Sequence, residues 1–499
     1  MNKNNSPLTR PVVLDLIGIL LLFVFMFMSP PLGSDPGVGW HLKTGEWLSI
    51  NKTFLYHDPF LWTTEGKEWI SNQWLADLIF WQIFQLGDWD ALALFCFAMP
   101  LLALLFLQGH IFWKLWQLQP VFFLSTSGLS ILTYKTLPFI ILSLSLLVAW
   151  VQWIIRPVIF SFSLFALVFY IVWSFLQDEG SSRHRFLFKL SLIFCLWANL
   201  HSAFPLGLGI IAAVIIGSII EGRYDLAKFF SLSFVIAALS TLINPYGWNL
   251  HKNIYELLGN SYFMNLNAEW QSPDFTEIIF MPLLAALTLI AILFLLNSKQ
   301  VPAWIKLIFL GLTILSLRSV RYISFLGMIL PVVFVYLIYV KNNNLLPPHS
   351  SRAKGYKPAL FFSVFTLLTA ATFIPNLINP KRFSSELLNQ VELWGALEEV
   401  CRDYSGKIIS HPNYGGAITY KLYPACKASL DDRNELNGVE SYQSFFAGLK
   451  NSNLPEIYKS EVLFLLPCKD LPKRNSSDYY FKSFGEFCLG RWGAAASSF

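Results

Sequence analysis

The stretch from Ser34 to Leu75 is dense in side chains that can do chemistry. It holds Asp35, then Trp40-His41-Leu42, then His57-Asp58-Pro59-Phe60, and closes on Asn72-Gln73-Trp74-Leu75. Asp35 follows directly on an apolar run, at the depth of a membrane interface. A carboxylate there is costly unless it is paired, bound to a metal or used in a reaction. Asp35, His41 and Asp58 form a set that can move a proton or hold a substrate. Capping or interfacial hydrogen bonding accounts for His41 and His57 equally well. Trp40, Trp47, Trp62, Trp69 and Trp74 fit either an aromatic belt at the membrane surface or stacking on a sugar ring.

A second set lies far along the chain. Arg156-Pro157 joins two apolar segments, and Arg318 and Arg321 sit in the short link between two others. Glu269, beside Trp270, is a second carboxylate that could face Asp35. Trp197, Asn199 and His201 end a further apolar segment. Arginine stays charged, and its planar fork matches a phosphate. Snorkelling to headgroups explains one such arginine; three at one face point to a phosphate-bearing substrate. Several familiar chemistries are excluded. There is no His-Glu-x-x-His and no Gly-x-Ser-x-Gly, and in Gly37–Thr44 Leu42 stands where a phosphate loop needs its second glycine.

Membrane spans must position these residues. The chain has 499 residues, 55% of them hydrophobic and only 13% charged, against about 25% charged in an average soluble domain. A net charge of +5 is too small to suggest nucleic acid as a partner. Segments 11–32, 72–87, 90–108, 120–134, 136–155, 158–177, 186–201, 203–220, 226–243, 275–296, 301–317, 320–340 and 358–378 are apolar enough to predict about 13 spans. The first lacks a cleavage pattern and reads as an uncleaved span. With the N-terminus inside, the inner links carry more Lys and Arg than the short outer ones, as the positive-inside rule requires. The long segments 33–71 and 244–274 and the tail then lie outside. The segment after Leu42 is amphipathic and is expected to lie along the membrane surface as an interfacial helix.

The chain divides into a membrane domain, 1–379, with its first outer loop at 33–71, and an extracytoplasmic soluble domain, 380–499. In the tail, Lys407–Ser410, Ala428–Leu430 and Glu461–Leu466 read as strands, and Tyr414–Leu422 and Tyr442–Leu449 as helices, which predicts a small α/β domain. Four cysteines fall there. Pairing Cys401 with Cys426 and Cys468 with Cys488 is the simplest of three connectivities. Four buried free thiols are the alternative.

The motif set resembles a group of bacterial multispan proteins. It comprises Asp35 just after the first span, Trp40-His41-Leu42-x-x-Gly45-Glu46, Asp58-Pro59-Phe60, Trp74-Leu75, Arg156-Pro157, Trp197–His201, Asn244–Gly247, Glu269–Phe275, Asn413-Tyr414-Gly415-Gly416 and Asp431-Asp432-Arg433. The resemblance covers most of the chain. The group looks like GT-C-type glycosyltransferases, relatives of oligosaccharyltransferases and of enzymes that add mannose or aminoarabinose from polyprenyl-linked donors. It implies a mainly α, GT-C-like bundle in the bacterial inner membrane, with the C-terminal domain extracytoplasmic. Asp35 matches the acid that such enzymes carry in the first outer loop. It is also the position the resemblance offers to a divalent cation, Mg or Mn, where one is used. Two departures stand out. Pro36 and Gly37 follow Asp35 where a paired acid is usual, and Asp432-Arg433 stands where Asp-Gly-Arg or Asp-Ser-Arg is expected.

The resulting expectation is a glycosyltransferase that moves a sugar from a polyprenyl-phosphate donor to an envelope acceptor, whether lipid, glycan or protein. Asp35, His41 and Glu269 are the expected catalytic groups. Trp40, Asp58, Arg156, His201, Arg318 and Arg321 are expected to bind substrate, with membrane lipid as a further partner. A flippase of lipid-linked glycans would want ionisable groups in mid-membrane, whereas the polar residues here crowd at one face. A non-catalytic scaffold for envelope assembly is the third reading.

Overall fold

The structure, a computed structural model, describes residues 35–117, 128–178, 181–297, 301–338, 387–403, 406–450, 463–471 and 479–492. Segments 11–32 and 358–378, expected as the first and last spans, lie outside the described residues, as does the start of segment 120–134.

The bundle begins with α1 (Val38–Asn51) and α2 (Trp74–Leu102), which continues through a π-helical turn into α3 (Gly109–Gln117). It goes on through α4 (Gly128–Ala149), α5 (Val158–Gln177), α6 (Arg183–Leu200), α7 (Phe204–Ile220) and α8 (Tyr224–Ser240). Two short helices, α9 (Trp248–Gly259) and α10 (Ser261–Leu266), precede α11 (Met281–Asn297), α12 (Ala303–Arg318) and α13 (Ile323–Ile338). Among the described residues four helical stretches are long and apolar enough to cross a membrane: Trp74–Phe112, Val158–Gln177, Ile278–Leu295 and Val320–Ile338. The protein is thus a multi-pass membrane protein. Segments 72–87 and 90–108 form one helical run, broken at Gly87–Asp88 where Asp88 takes a φ of 57°. α13 is the hub of the bundle. It is apolar and buried on every side, as a helix surrounded by helices must be.

The expectation for α1 is corrected. It does not lie free along a membrane surface; most of its residues are buried between α2 and a C-terminal helix. Its glycines allow this. A Cβ on Gly39 would sit 2.2 Å from the carbonyl oxygen of Gly416, so the two backbones touch.

The C-terminal part holds α14 (Val391–Asp403), α15 (Pro412–Leu422), α16 (Asn434–Asn437) and α17 (Val439–Lys450) around a five-stranded sheet. Its strands are β1 (Lys407–Ser410), β2 (Lys427–Ala428), β3 (Leu463–Pro467), β4 (Tyr479–Phe484) and β5 (Phe487–Trp492), in spatial order β2-β1-β3-β5-β4. β1 runs parallel to β2 and β3, with Ile409 opposite Phe464; β5 runs antiparallel to β3 and β4. β1, β3, α15 and α17 fall where the sequence predicts them, β2 overlaps its expected strand at Ala428 alone, and α14 was not expected. The β4–β5 hairpin does not appear in that prediction. Disulfides join Cys401 to Cys426 and Cys468 to Cys488, the simplest connectivity.

The first loop is built into this sheet. Leu61 bridges to Ala428 of β2, and Trp62 N–H donates to the Ala428 carbonyl at 3.2 Å. Leu55, Phe60, Leu61 and Trp69 share one apolar core with Trp394, Ile408, Ile418 and Leu465. Burying aromatic and aliphatic side chains of this size contributes about 1.5–3 kcal/mol each.

Candidate active site

A cavity of about 580 Å³ lies where the bundle meets the C-terminal domain. Asp35, Trp40, His41, Arg156, His201, Glu269 and Arg321, residues singled out from sequence, all line it. They come from several segments, and each has its own anchor.

Asp35 precedes α1. Its Oδ1 accepts from the Gly37 backbone N–H at 2.7 Å, close to the positive end of the helix dipole. Arg156 stands in the bend before α5. Pro157, at the start of that helix, fixes φ, and the Arg156 backbone N–H donates to the Ile154 carbonyl at 2.8 Å. Glu269 sits in a single 3-10 turn. Asn267 Oδ1 accepts its N–H at 3.0 Å, and Ser319 Oγ donates to its carbonyl at 2.8 Å. Arg321 lies in the turn before α13 with its guanidinium 4.6 Å from the Trp270 ring.

The tail stretch Asp431-Asp432-Arg433, to which the sequence assigns no role, contributes as well. Asp432 lines the cavity, and its Oδ1 accepts from Trp40 Nε1 at 2.8 Å. Asp35, Glu269 and Asp432 converge on Arg156. Asp35 Oδ2 is 2.8 Å from Nε, Glu269 Oε1 is hydrogen-bonded to Nη1, and Asp432 Oδ2 is 3.8 Å from Nη2. Arg156 was expected to grip a phosphate, but its guanidinium is committed to these acids. Among the described residues Arg321 has no carboxylate within 4.0 Å and is the guanidinium left facing the cavity.

Burial raises the carboxyl of Asp35 above its ordinary range, against the pull of Arg156. Burial, and then the charge of Asp35, pushes Asp432 up to about 7. Burial, followed by the charges of Arg156, His201 and Arg433, holds His41 well below the ordinary imidazole range. His41 is therefore neutral at pH 7. Its Nδ1 lies 2.6 Å from Asp77 Oδ1, which ties α1 to α2. His201 Nδ1 accepts from the Ala203 N–H at 3.2 Å and meets Ser161 Oγ at 2.8 Å.

Two residues expected to bind substrate stand elsewhere. Arg318 is exposed at the end of α12 and does not line the cavity; the 3-10 turn that follows carries Arg321 inward instead. Asp58 is fully buried beneath the cavity lining. It accepts from Arg433 Nη1 at 2.9 Å, from Thr64 Oγ1 at 2.7 Å and from two backbone N–H groups. Arg433 also bonds Asp431 through Nε at 2.7 Å, and its guanidinium lies 4.4 Å from the Trp69 ring. Of the first-loop tryptophans, Trp40 lines the cavity, whereas two others are tied to the protein. Trp62 donates to the Ile408 carbonyl and Trp74 to Asn199 Oδ1.

Among the described residues no three His, Cys, Asp or Glu side chains stand together as a ligand set for a metal ion. The Arg156 guanidinium fills the space between the acids.

No family model matches the chain, and no curated protein does. Among solved structures it is similar to the archaeal oligosaccharyltransferase AglB from Archaeoglobus fulgidus, solved in complex with an inhibitory peptide and a dolichol-phosphate. The TM-score is 0.51 at 10% identity, and the match covers 92% of this chain and 69% of that one. At that identity the likeness concerns the fold, and the chain has a GT-C-like fold.

Proposed function

We propose that this chain is a membrane glycosyltransferase that moves a sugar from a polyprenyl-phosphate donor to an envelope acceptor on the extracytoplasmic face. The observation that carries the proposal is the shared cavity. Four carboxylates, Asp35, Glu269, Asp432 and Glu435, and three guanidinium groups, Arg156, Arg321 and Arg433, line one 580 Å³ space beside an apolar bundle. The GT-C-like fold supports it, as does the dolichol-phosphate carried by the archaeal neighbour. The two disulfides support an oxidising compartment for the C-terminal domain.

An acceptor hydroxyl attacks the anomeric carbon of the donor, and the bond from that carbon to the phosphate oxygen breaks. Polyprenyl phosphate leaves with the electron pair. Asp432 takes the acceptor's proton, and Asp35 beside it holds the hydroxyl in line. Asp432, poised near neutrality, suits that task, because a base works best when its pKa lies near the operating pH. Arg321 offsets the charge developing on the leaving phosphate, and Trp270 beneath it offers an apolar face to the sugar. A second cavity of about 600 Å³, lined by Lys252, Asn253 and Asn260, shares Leu257, Phe263, Asn434 and Glu435 with the first and suits a polar acceptor.

The test is a purified chain in lipid with a polyprenyl-phosphate sugar, reading release of polyprenyl phosphate. Asp35→Asn is expected to lose about 10²–10⁴-fold in turnover while folding normally. Full turnover in that variant would reject the mechanism.

A further inference from the structure

We propose that the Arg156 guanidinium is the resident cation of this acidic centre, standing where a divalent metal ion would otherwise sit, so that transfer needs no metal. The proposal rests on the glycosyltransferase reading for its activity arm alone.

Three carboxylates do not gather in a buried place without a cation among them, because desolvation and mutual repulsion oppose it. Asp35, Glu269 and Asp432 gather around Arg156, each at a different nitrogen of its fork. A guanidinium is planar, keeps its proton and offers five donors in fixed directions. Here that fork is delivered by a bend pinned by Pro157 and by its own backbone hydrogen bond, so its place is set by the fold.

A metal ion does not fit the same residues as they stand. Hard cations take oxygens at about 2.0–2.6 Å, which requires the carboxylate oxygens to close on one point. Instead the three acids are spread over three nitrogens, Asp35 at Nε, Glu269 at Nη1 and Asp432 3.8 Å from Nη2, and among the described residues they form no ligand set around one point. A divalent ion would also have to enter beside a fixed positive charge. The arginine supplies charge at a permanent position and cannot be removed by a chelator.

The probe is Mn²⁺, followed by electron paramagnetic resonance on the full chain in lipid, beside donor turnover with and without EDTA. The wild type is expected to show no Mn²⁺ site that depends on Asp35 and to keep its turnover in EDTA. Arg156→Ala opens the space between the acids and is expected to bind Mn²⁺ at least about tenfold more tightly than the wild type. Adding Asp35→Asn to that variant should abolish the gain. A wild-type Mn²⁺ site lost in Asp35→Asn, EDTA-sensitive turnover restored by Mn²⁺, or a folded Arg156→Ala that binds no Mn²⁺ each overturns the proposal. If Arg156→Ala does not fold, the wild-type measurements decide by themselves. If no polyprenyl-phosphate sugar is turned over, the glycosyltransferase reading fails while the Mn²⁺ measurements still judge the arginine.

Discussion

Trp40 Nε1 donates to Asp432 Oδ1 at 2.8 Å, so an indole from the first loop holds a carboxylate supplied by the loop after β2. The other oxygen of Asp432 faces Arg156. It also reaches Gly37, where a Cβ would lie 2.8 Å from Asp432 Oδ2 and 3.0 Å from Asp35 Oδ1. Two acids that share one glycine and one guanidinium act on each other's protons. The cavity is therefore completed by the C-terminal domain.

Asp432 should carry a pH signature. With its carboxyl near 7, turnover is expected to rise about tenfold per pH unit below neutrality and to level off above it. Stability should move the other way. The folded group keeps its proton up to about 7, while the unfolded one releases it near 3.8. The native state thus holds the extra proton in that window, and stability falls as pH rises through it, then stays flat. Asp432→Asn keeps an acceptor for Trp40 but loses this dependence, so its melting temperature should gain on the wild type between pH 4 and 7. A parallel loss of the pH–rate limb in that variant is the kinetic check. An unchanged limb would assign the proton to another group.

The contact between α1 and α15 should tolerate no side chain. At Gly39 a Cβ meets the Gly416 carbonyl oxygen at 2.2 Å, and at Gly416 it meets that of Pro36 at 2.2 Å. Backbone atoms cannot step aside as a side-chain tip can. Alanine at either position is expected to cost about 1–3 kcal/mol or more, and the two costs should not add, since both arise at one contact. Gly395 is the control. It lies exposed in α14 with no atom within 4 Å of a Cβ, so Gly395→Ala should stabilise by about 0.4–1 kcal/mol. Thermal unfolding of the three variants in lipid distinguishes the signs.

Apolar runs made the bundle legible in sequence, and short ones β1 and β3; of β2 only Ala428 was legible. The β4–β5 hairpin was not, because Tyr479–Phe484 and Phe487–Trp492 mix Lys, Ser and Gly with aromatics and lack a clean period of two. α1 reads as amphipathic, but no local pattern says whether an apolar face will meet lipid or protein. Arg318 and Arg321 look equivalent in sequence; the turn Val320–Tyr322 sends one out and the other in. Asp432 is the instructive omission. Its partners Trp40, Arg156 and Asp35 lie hundreds of positions away, so its neighbours in the chain carry no sign of them.

The buried cluster of Asp58, Arg433 and Asp431 should behave as one unit. All three side chains are fully buried, and Arg433 lies against the rings of Trp69 and Trp40. Arg433→Met leaves two carboxylates without their cation and is expected to cost about 3–5 kcal/mol. Arg433→Lys should recover little, since one ammonium cannot span both acids as a fork does. Neutralising the acids as well, with Asp58→Asn and Asp431→Asn, should return much of the loss. Limited proteolysis of the first loop reads the outcome locally, because Asp58 holds that loop through the N–H groups of Phe60 and Leu61. Equal protection in wild type and Arg433→Met would show that the cluster is not what docks the loop.

Arg321 should govern affinity for the phosphate. Arg156 is committed to three acids, whereas Arg321 stacks on Trp270 and lines the cavity without a carboxylate partner among the described residues. A hydrogen bond to a charged group contributes about 1.5–3 kcal/mol. Arg321→Ala is therefore expected to lower kcat/KM for the donor about 10–100-fold and to weaken inhibition by the product polyprenyl phosphate by a similar factor. Arg321→Lys retains the charge without the fork and should fall between. Product inhibition separates binding from folding, since a merely structural arginine would lower the yield of active protein and leave the inhibition constant of the survivors unchanged. That second pattern would move the phosphate site away from α13.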